Sequence, residues 1–311
     1  MSDVDILRAA LPMVGTEPDI LDDSRVAHIV AHGHRILSRR TVPGLRAELE
    51  ETPEAIVGQV VIEPGAIIEQ PIHLCFGLAH ETGIQRIKIH LKVEAGGNAK
   101  VLAHCLFPVA LQAQHVMDAV IELDAGASLT YTEGHYHGVQ GGMEVHPQAV
   151  VKVRSGARYV SDFSLLSGSV GSLGIDYAVE VEDDAVAELT AKVFGHRTDT
   201  IDIKESVLLL GRDSRGLIKT RVVVTERAKA QITGITEAYA RGARGHVDCK
   251  EIIKDAATAS AVPIVKVFHP EAKVTHEAAI GSVDRKEMET LMARGLTPEE
   301  AVELIVGGLL R

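Results

Sequence analysis

Hydrophobic and polar residues alternate along most of the chain, and short turns separate the alternating segments. Four of these segments are VEAGGNAKV (93–101), IELDAGASLTY (121–131), VKVRSGARYV (151–160) and VEVEDDAVAEL (179–189). Each alternates, turns at Gly, Asp, Asn or Ser, and then alternates again. A period of two predicts β-strands that are buried on one face only.

The turns recur at a nearly constant interval. The residues that follow them are Ala127, Ala157, Ala185 and Ser214, at intervals of 30, 28 and 29 residues. Self-similarity at such a period is typical of solenoids and arrays, and a propeller blade needs more residues than this. The pattern therefore predicts a β-solenoid in which each coil hydrogen-bonds to the next. A two-sheet sandwich is the alternative.

Both ends of the chain have helical spacing. A first C-terminal helix is predicted from Asp284 to Gly295, and Thr297-Pro298-Glu299-Glu300 begins a second with a capping box and a proline. At the N-terminus, residues 5–10 and 24–37 have the spacing of helices. The C-terminal pair is predicted either to cover the core or to dock a partner.

We therefore expect three regions. Residues 1–50 form an N-terminal helical region, residues 51–270 the solenoid core, and residues 271–311 a C-terminal helical region.

Composition indicates a soluble globular protein. Of the 311 residues, 46% are hydrophobic and 24% charged, and there is neither a long apolar span nor a signal peptide, so a cytoplasmic location is expected. A net charge of -11 without a basic stripe argues against a nucleic-acid partner. The three cysteines lie far apart and are odd in number, which argues against a disulfide framework.

One group of metal-capable residues lies near the C-terminal end of the predicted solenoid. Alternation in HVDCKEII places Val247, Cys249 and Glu251 on one strand face. His276 and Glu277 follow Cys249 by about one coil, which predicts that the three side chains lie close together. Thiolate, imidazole and carboxylate are ligands of transition metals. The alternative is that Cys249 is simply a small buried residue.

A second group suggests a different class of protein. His135 and His137 alternate onto one strand face, and Glu144 and His146 follow them. This arrangement is cupin-like and predicts, as an alternative function, a mononuclear metal enzyme. The chain has 15 histidines, so chance pairs are expected. A solenoid with purely interaction roles is a third possibility. We assign no role to Cys75.

Several nucleotide motifs are missing from the sequence. It contains no G-x-x-x-x-G-K-[ST] phosphate loop and no G-x-G-x-x-G that opens a helix. The chain is therefore not expected to hydrolyse nucleotide by itself.

From about residue 55 to 311 the chain resembles the SufB/SufD family, core subunits of the SUF iron-sulfur cluster assembly machine. The segments that carry the resemblance are HVDCKEIIKD, PIVKVFHPEAKVTHEAAIG and EMETLMARGLTPEEAVELIVGGLL. The resemblance implies a right-handed parallel β-helix with helical ends. It also implies a non-enzymatic scaffold whose C-terminal helices dock SufC, an ABC-type ATPase.

The resemblance also implies roles for individual residues. Cys249, His276 and Glu277 match the positions that hold the cluster during assembly, and Cys105, in AHCLFPVALQAQHVMDAVIELDAGASL, matches the cysteine that accepts sulfur. The sulfur donor is expected to be a cysteine desulfurase or sulfide, and apo iron-sulfur proteins are expected to receive the cluster. The N-terminal region is shorter than in the bacterial subunits. The chain does not sort clearly into B or D, which predicts a minimal system in which one chain fills both places as a homodimer. A single thiol, imidazole and carboxylate per chain are too few for permanent retention, which favours a transient cluster.

Overall fold

Two parallel sheets wind together into a solenoid. A computed structural model describes residues 2–310 of the chain. Its helices are α1 (Asp3–Ala10), α2 (Arg285–Met292) and α3 (Pro298–Leu309). Its strands are β1 (His28–His32), β2 (Arg35–Arg40), β3 (Leu45–Glu51), β4 (Ile56–Ile62), β5 (Ile72–Gly77), β6 (Thr82–Val93), β7 (Asn98–Phe107), β8 (Gln112–Leu123), β9 (Ser128–His137), β10 (Met143–Val153), β11 (Arg158–Leu165), β12 (Gly171–Val181), β13 (Val186–Gly195), β14 (Thr200–Leu209), β15 (Arg215–Val224), β16 (Lys229–Ala238), β17 (Arg244–Ile253), β18 (Thr258–Val267) and β19 (Lys273–Gly281).

From β4 onward, successive strands belong alternately to the two sheets. The first sheet has the order β19-β17-β15-β13-β11-β9-β7-β5-β1-β2, and the second has the order β18-β16-β14-β12-β10-β8-β6-β4-β3. Neighbours pair in parallel, except for the antiparallel pairs β1 with β2 and β3 with β4. Each coil therefore contributes one strand to each sheet, which confirms the predicted parallel β-helix.

The predicted turn spacing is the coil length. The backbone N–H groups of Arg158, Val186 and Arg215 donate to the carbonyls of Ala127, Ala157 and Ala185, one coil earlier. A left-handed residue recurs in the same turns, and it is Gly126 and Gly156 in two successive coils. Glycine adopts positive φ without the steric cost of a Cβ, so the Gly-containing turns suit this position.

The core fills the space between the two sheets. In the middle coils, alternate residues of each strand point inward and are buried, as in β9, β13 and β14. The N-terminal segment covers the outer face of the first sheet at β5 and β7, where Leu7, Leu11 and Leu21 pack against Cys75 and Leu106. At the other end, α3 packs on the outer face of the same sheet. None of the helices among residues 2–310 is long and apolar enough to cross a membrane.

Most predicted helices are confirmed, but the one at residues 24–37 is wrong. That stretch forms β1, a turn at Gly33, and the start of β2. Residues 26–31 are buried on both faces, and all of them except His28 are apolar, so apolar and polar residues do not alternate there. A doubly buried strand has no period-2 signal and can be mistaken for a helix. The division of the chain at residues 50 and 270 stays a prediction, since strands lie on both sides of each boundary.

Candidate functional site

Cys249 lies inside the solenoid near its C-terminal end. It is 1% exposed and sits on the inward face of β17, between Thr220 of β15 and Ala278 of β19. Gly234 faces it from the second sheet, and a Cβ at position 234 would be 4.0 Å from Cys249 Sγ. Burial raises the pKa of the Cys249 thiol to about 11, and the charge of Glu251 acts in the same direction. The thiol is therefore protonated at neutral pH unless a metal displaces the proton.

His276 and Glu277 lie on the last strand of the first sheet. Register pairs His276 with Val247 and Glu277 with Asp248. Because side chains alternate along a strand, His276 shares the inward face with Cys249, whereas Glu277 belongs to the outward face. Both residues are exposed, because β19 has a free edge. Among residues 2–310, these three side chains do not form a group with all ligand atoms within 4.8 Å.

Two buried carboxylates lie close to Cys249. Glu251 and Glu205 are 2% and 1% exposed, and burial raises their pKa values to about 7 and about 8. Both carboxylate oxygens of Glu251 and Oε2 of Glu205 are buried without a hydrogen-bond partner. Alternation in the sequence placed Glu251 on the face of Cys249, and the structure confirms that placement. Glu205 was missed, because its strand carries no other sign of a site.

Cys105 lies in a second polar cluster inside the solenoid. It is fully buried on β7, with His115 Nε2 3.5 Å and Glu133 Oε1 3.9 Å from its Sγ. Glu133 is 2.7 Å from His135 Nε2, and His135 Nδ1 is 3.3 Å from His137 Nε2. The cluster joins β7 and β9 of the first sheet to β8 of the second.

Burial controls the protonation of this cluster. It raises the pKa of Cys105 well above its ordinary value, and Glu133 adds to that shift. Burial also lowers the pKa of His115 to about 3, with His135 acting in the same direction, and lowers the pKa of His137 well below its ordinary value. His115 and His137 are therefore neutral imidazoles with lone pairs available to a metal.

The cupin-like ligand set is not assembled. His135 and His137 do share one inward face, as alternation predicts. Glu144 and His146, however, lie on outward positions of β10, and Glu144 accepts a hydrogen bond from Gln114 on the surface. The expectation that these two residues join the histidine pair is wrong, because the strand parity of β10 directs them away from the core.

Sequence reasoning missed His115 and Glu133 as members of the Cys105 cluster. A signal for part of it was available, since His135 follows Cys105 by 30 residues and pairs with it in the register of β7 and β9. His115 comes from the opposite sheet, and no periodicity within one sheet reveals such a contact.

Cys75 lies outside both clusters. It is on the outer face of β5, buried under the N-terminal segment with Leu7 and Leu11. Burial raises the pKa of its thiol to about 12. All three cysteines are free thiols, and the packing around Cys75 is apolar.

The two cysteine sites share the same interior. Five strand spacings separate β7 from β17 in the first sheet, which is roughly 24 Å along the solenoid. Between them, Tyr177 donates a hydrogen bond to Glu133 over 3.4 Å, and Glu205 pairs with Tyr177 in the next coil. Polar side chains therefore extend from the Cys105 cluster toward Cys249.

Comparison with known proteins gives a consistent result. Residues 78–309 match the family model "SUF system FeS cluster assembly, SufBD core domain". The chain is 33% identical over 301 residues to an iron-sulfur cluster assembly SufBD family protein of Methanocaldococcus jannaschii, covering 97% of this chain and 95% of that one. It is 32% identical over 289 residues to a SufBD family protein of Pyrococcus horikoshii, covering 92% and 87%. With this fold and these matches over nearly its whole length, the chain belongs to the SufBD family.

Proposed function

We propose that the chain is a scaffold for iron-sulfur cluster assembly that works as a homodimer with a SufC-like ABC ATPase. The proposal rests on family membership together with the position of Cys249. Its thiol lies on the inward face of β17, and His276 lies on the same face of the neighbouring strand β19, at the open end of the solenoid. ATP hydrolysis is assigned to the partner, so the chain itself needs no nucleotide site. We expect the complex in the cytoplasm.

The cluster site is proposed at Cys249, His276 and Glu277. Cys249 and His276 share the inward face of β17 and β19, and Glu277 lies next to His276 on the outward face, at the free edge of β19. One chain offers fewer ligands than the four that iron-sulfur clusters usually take. A second copy supplies the missing ligands, and the cluster remains weakly held so that apo iron-sulfur proteins can receive it.

The open end of the solenoid supports a homodimer there. The strands β18 and β19 end their sheets, and each presents one unpaired edge. Free edges pair readily with another chain unless something covers them. Apolar side chains are exposed at the same end: Val262, Val267, Phe268 and Ile280.

Sulfur is proposed to enter at Cys105 and to reach Cys249 along the solenoid interior. In this step the Cys105 thiolate attacks the outer sulfur of a desulfurase persulfide, and the donor's thiolate leaves. Because Cys105 is fully buried with a raised pKa, the coil must open before it reacts. Where sulfide is the source, it joins iron at Cys249 directly.

The C-terminal helices are proposed to dock the ATPase. The helix α2 buries none of its side chains, and Met292 of α2 and Leu304 of α3 are exposed. An apolar groove of 580 Å³ lies between α3 and the first sheet and is lined by Phe194, Ile252 and Val302 among others. An amphipathic pair with exposed apolar residues suits helix-in-groove recognition.

The proposal is tested by anaerobic reconstitution of the full chain with ferrous iron and sulfide, with and without the ATPase. We expect wild type to show the visible absorption of an iron-sulfur cluster and Cys249→Ala to lose it. The matched control is Cys75→Ala, which removes a buried thiol outside the site. Equal iron and sulfide content in Cys249→Ala and wild type would contradict the proposal.

A further inference from the structure

Three strands from both sheets bring three metal-binding side chains together in the core. One ligand atom from each of Cys105, His115 and His135 lies within 4.8 Å of the other two. Cys105 and His135 are adjacent in the register of β7 and β9, and His115 faces them from β8. All three are at most 3% exposed. The arrangement depends on the coil geometry and does not arise from a mobile surface loop.

We propose that Cys105, His115 and His135 bind one divalent transition-metal ion, of the zinc or iron(II) type, inside the solenoid. A thiolate with imidazoles is the donor set that such ions favour. Bond lengths of about 2.3 Å to sulfur and about 2.0 Å to nitrogen give a tetrahedral sulfur–nitrogen edge of about 3.5 Å. The distance from Cys105 Sγ to His115 Nε2 is 3.5 Å. Cys105 Sγ and His115 Nε2 are therefore already separated by the distance that binding to one tetrahedral ion requires.

Charge balance makes a buried dication acceptable at this position. An unpaired ion in an apolar core carries a large desolvation cost. Metal binding leaves Cys105 as a thiolate, and Glu133 supplies a second negative charge 3.9 Å from its sulfur. Glu133 also lies 2.7 Å from His135 Nε2. This contact fixes the orientation of the His135 ring, so Glu133 is assigned as a positioning residue.

The metal-free cluster leaves polar atoms without partners. His115 Nδ1 and His137 Nδ1 are buried and make no hydrogen bond. Each such atom costs the desolvation penalty of an unmade hydrogen bond, and a stable core would be built more simply from aliphatic residues. Buried polar atoms without partners call for a specific reason. An ion does not pair these two nitrogens, since His115 faces Cys105 with Nε2, but it gives a reason why imidazoles occupy these core positions at all.

The site is separate from the proposed cluster site. Cys105 and Cys249 are on strands five spacings apart, roughly 24 Å. The metal proposal therefore does not rest on cluster assembly at Cys249. An ion at Cys105 holds that thiolate, so sulfur acceptance at Cys105 and metal binding exclude each other.

The test uses cobalt(II) as a spectroscopic probe of the chelator-treated, anaerobic full chain. We expect one ion per chain, with the visible bands of tetrahedral cobalt and a near-ultraviolet sulfur-to-cobalt charge-transfer band. Cys105→Ser is expected to abolish the charge-transfer band. Glu133→Gln is expected to weaken cobalt binding by about 10-fold to 100-fold. His115→Gln, which removes a ligand, is expected to weaken it at least as much.

Two controls separate this site from others. Cys249→Ser and Cys75→Ser each remove one thiol and are expected to keep the charge-transfer band; its loss in Cys249→Ser alone would overturn the proposal. X-ray absorption of the zinc-loaded wild type needs no variant to fold, and one sulfur with nitrogen or oxygen neighbours is the expected shell. A shell without sulfur would overturn the proposal, whatever the outcome of cluster reconstitution.

Discussion

Glu205 is the buried residue whose ionisation bears most directly on stability. It is 1% exposed on β14, between Tyr177 and Gly234 of the neighbouring coils. Burial raises its pKa from 4.5 to about 8. Between these values the folded protein binds more protons than the unfolded chain. The contribution of Glu205 is therefore fully favourable below the unfolded pKa and is lost as the pH rises through the folded pKa.

We expect Glu205→Gln to flatten the fall of unfolding free energy with rising pH. The carboxyl contributes a slope of about 1.4 kcal/mol per pH unit between its unfolded and folded pKa values, and the amide contributes none. Urea unfolding at a series of pH values measures this slope. The matched control is Glu180→Gln, an exposed glutamate on β12, which should leave the slope unchanged. Parallel curves for wild type and Glu205→Gln would refute the prediction.

Strand parity decides how much of each site the sequence could predict. Alternation correctly placed Cys249 and Glu251 on one inward face. The coil at that position is 29 residues, so Cys249 pairs with Ala278, and His276 falls two positions earlier on the same face. Glu277 falls on the opposite face for the same reason. Contacts between the sheets, such as His115 with Cys105, depend on packing that a period in one sheet does not encode.

At the scale of elements, α3 is attached to the solenoid by a small hydrophobic cluster of its own. Val306 and Leu310 pack on Val223 of β15, with Phe194 and Ile252 beside them. The main core lies on the other side of the first sheet. Loss of this cluster should therefore release the helix locally and leave the coils intact.

We expect Leu310→Ala to loosen α3 without unfolding the solenoid. Truncating a buried leucine costs about 2 kcal/mol at the low end of the usual range, which makes amide exchange in residues 298–309 about 30-fold faster. Exchange in β15 should stay unchanged. Hydrogen exchange read by mass spectrometry measures both. Leu304→Ala, the same change on the exposed face of α3, is the control. Equal acceleration in β15 would show that the helix and the coils unfold together.

Helix prediction succeeded where capping residues marked the ends and failed where burial was continuous. Thr297 and Glu300 form the predicted reciprocal capping box, and Asp284 caps α2. These capping signals involve only residues three positions apart, so they do not depend on the rest of the fold. Residues 24–37 carry apolar residues for two different surfaces, the core and the N-terminal segment. Only the tertiary structure shows that both faces of β1 are covered.

At the scale of the whole molecule, the two ends of the solenoid differ. Antiparallel strands β2 and β3 end the sheets at the N-terminal side. At the C-terminal side the last parallel strands, β18 and β19, end the sheets, and neither strand has a fully buried residue. In a repeat protein each coil contacts only its neighbours, so an uncovered terminal coil loses one of its two interfaces. The proposed dimer supplies that interface.

The dimer interface can be probed at Val262. Val262 is outward-facing on β18 and 45% exposed. In a symmetric dimer a substitution enters the interface twice, and like charges facing each other cost several kcal/mol. We therefore expect Val262→Lys to raise the dimer dissociation constant on the order of 100-fold, as measured by sedimentation equilibrium. Val120→Lys places the same charge on a 43% exposed valine of β8, in the middle of the same sheet, and should have no effect. If the two variants dissociate alike, or if the wild type is monomeric at all concentrations, the open end is not the interface and the ligands missing from the Cys249 site must come from elsewhere.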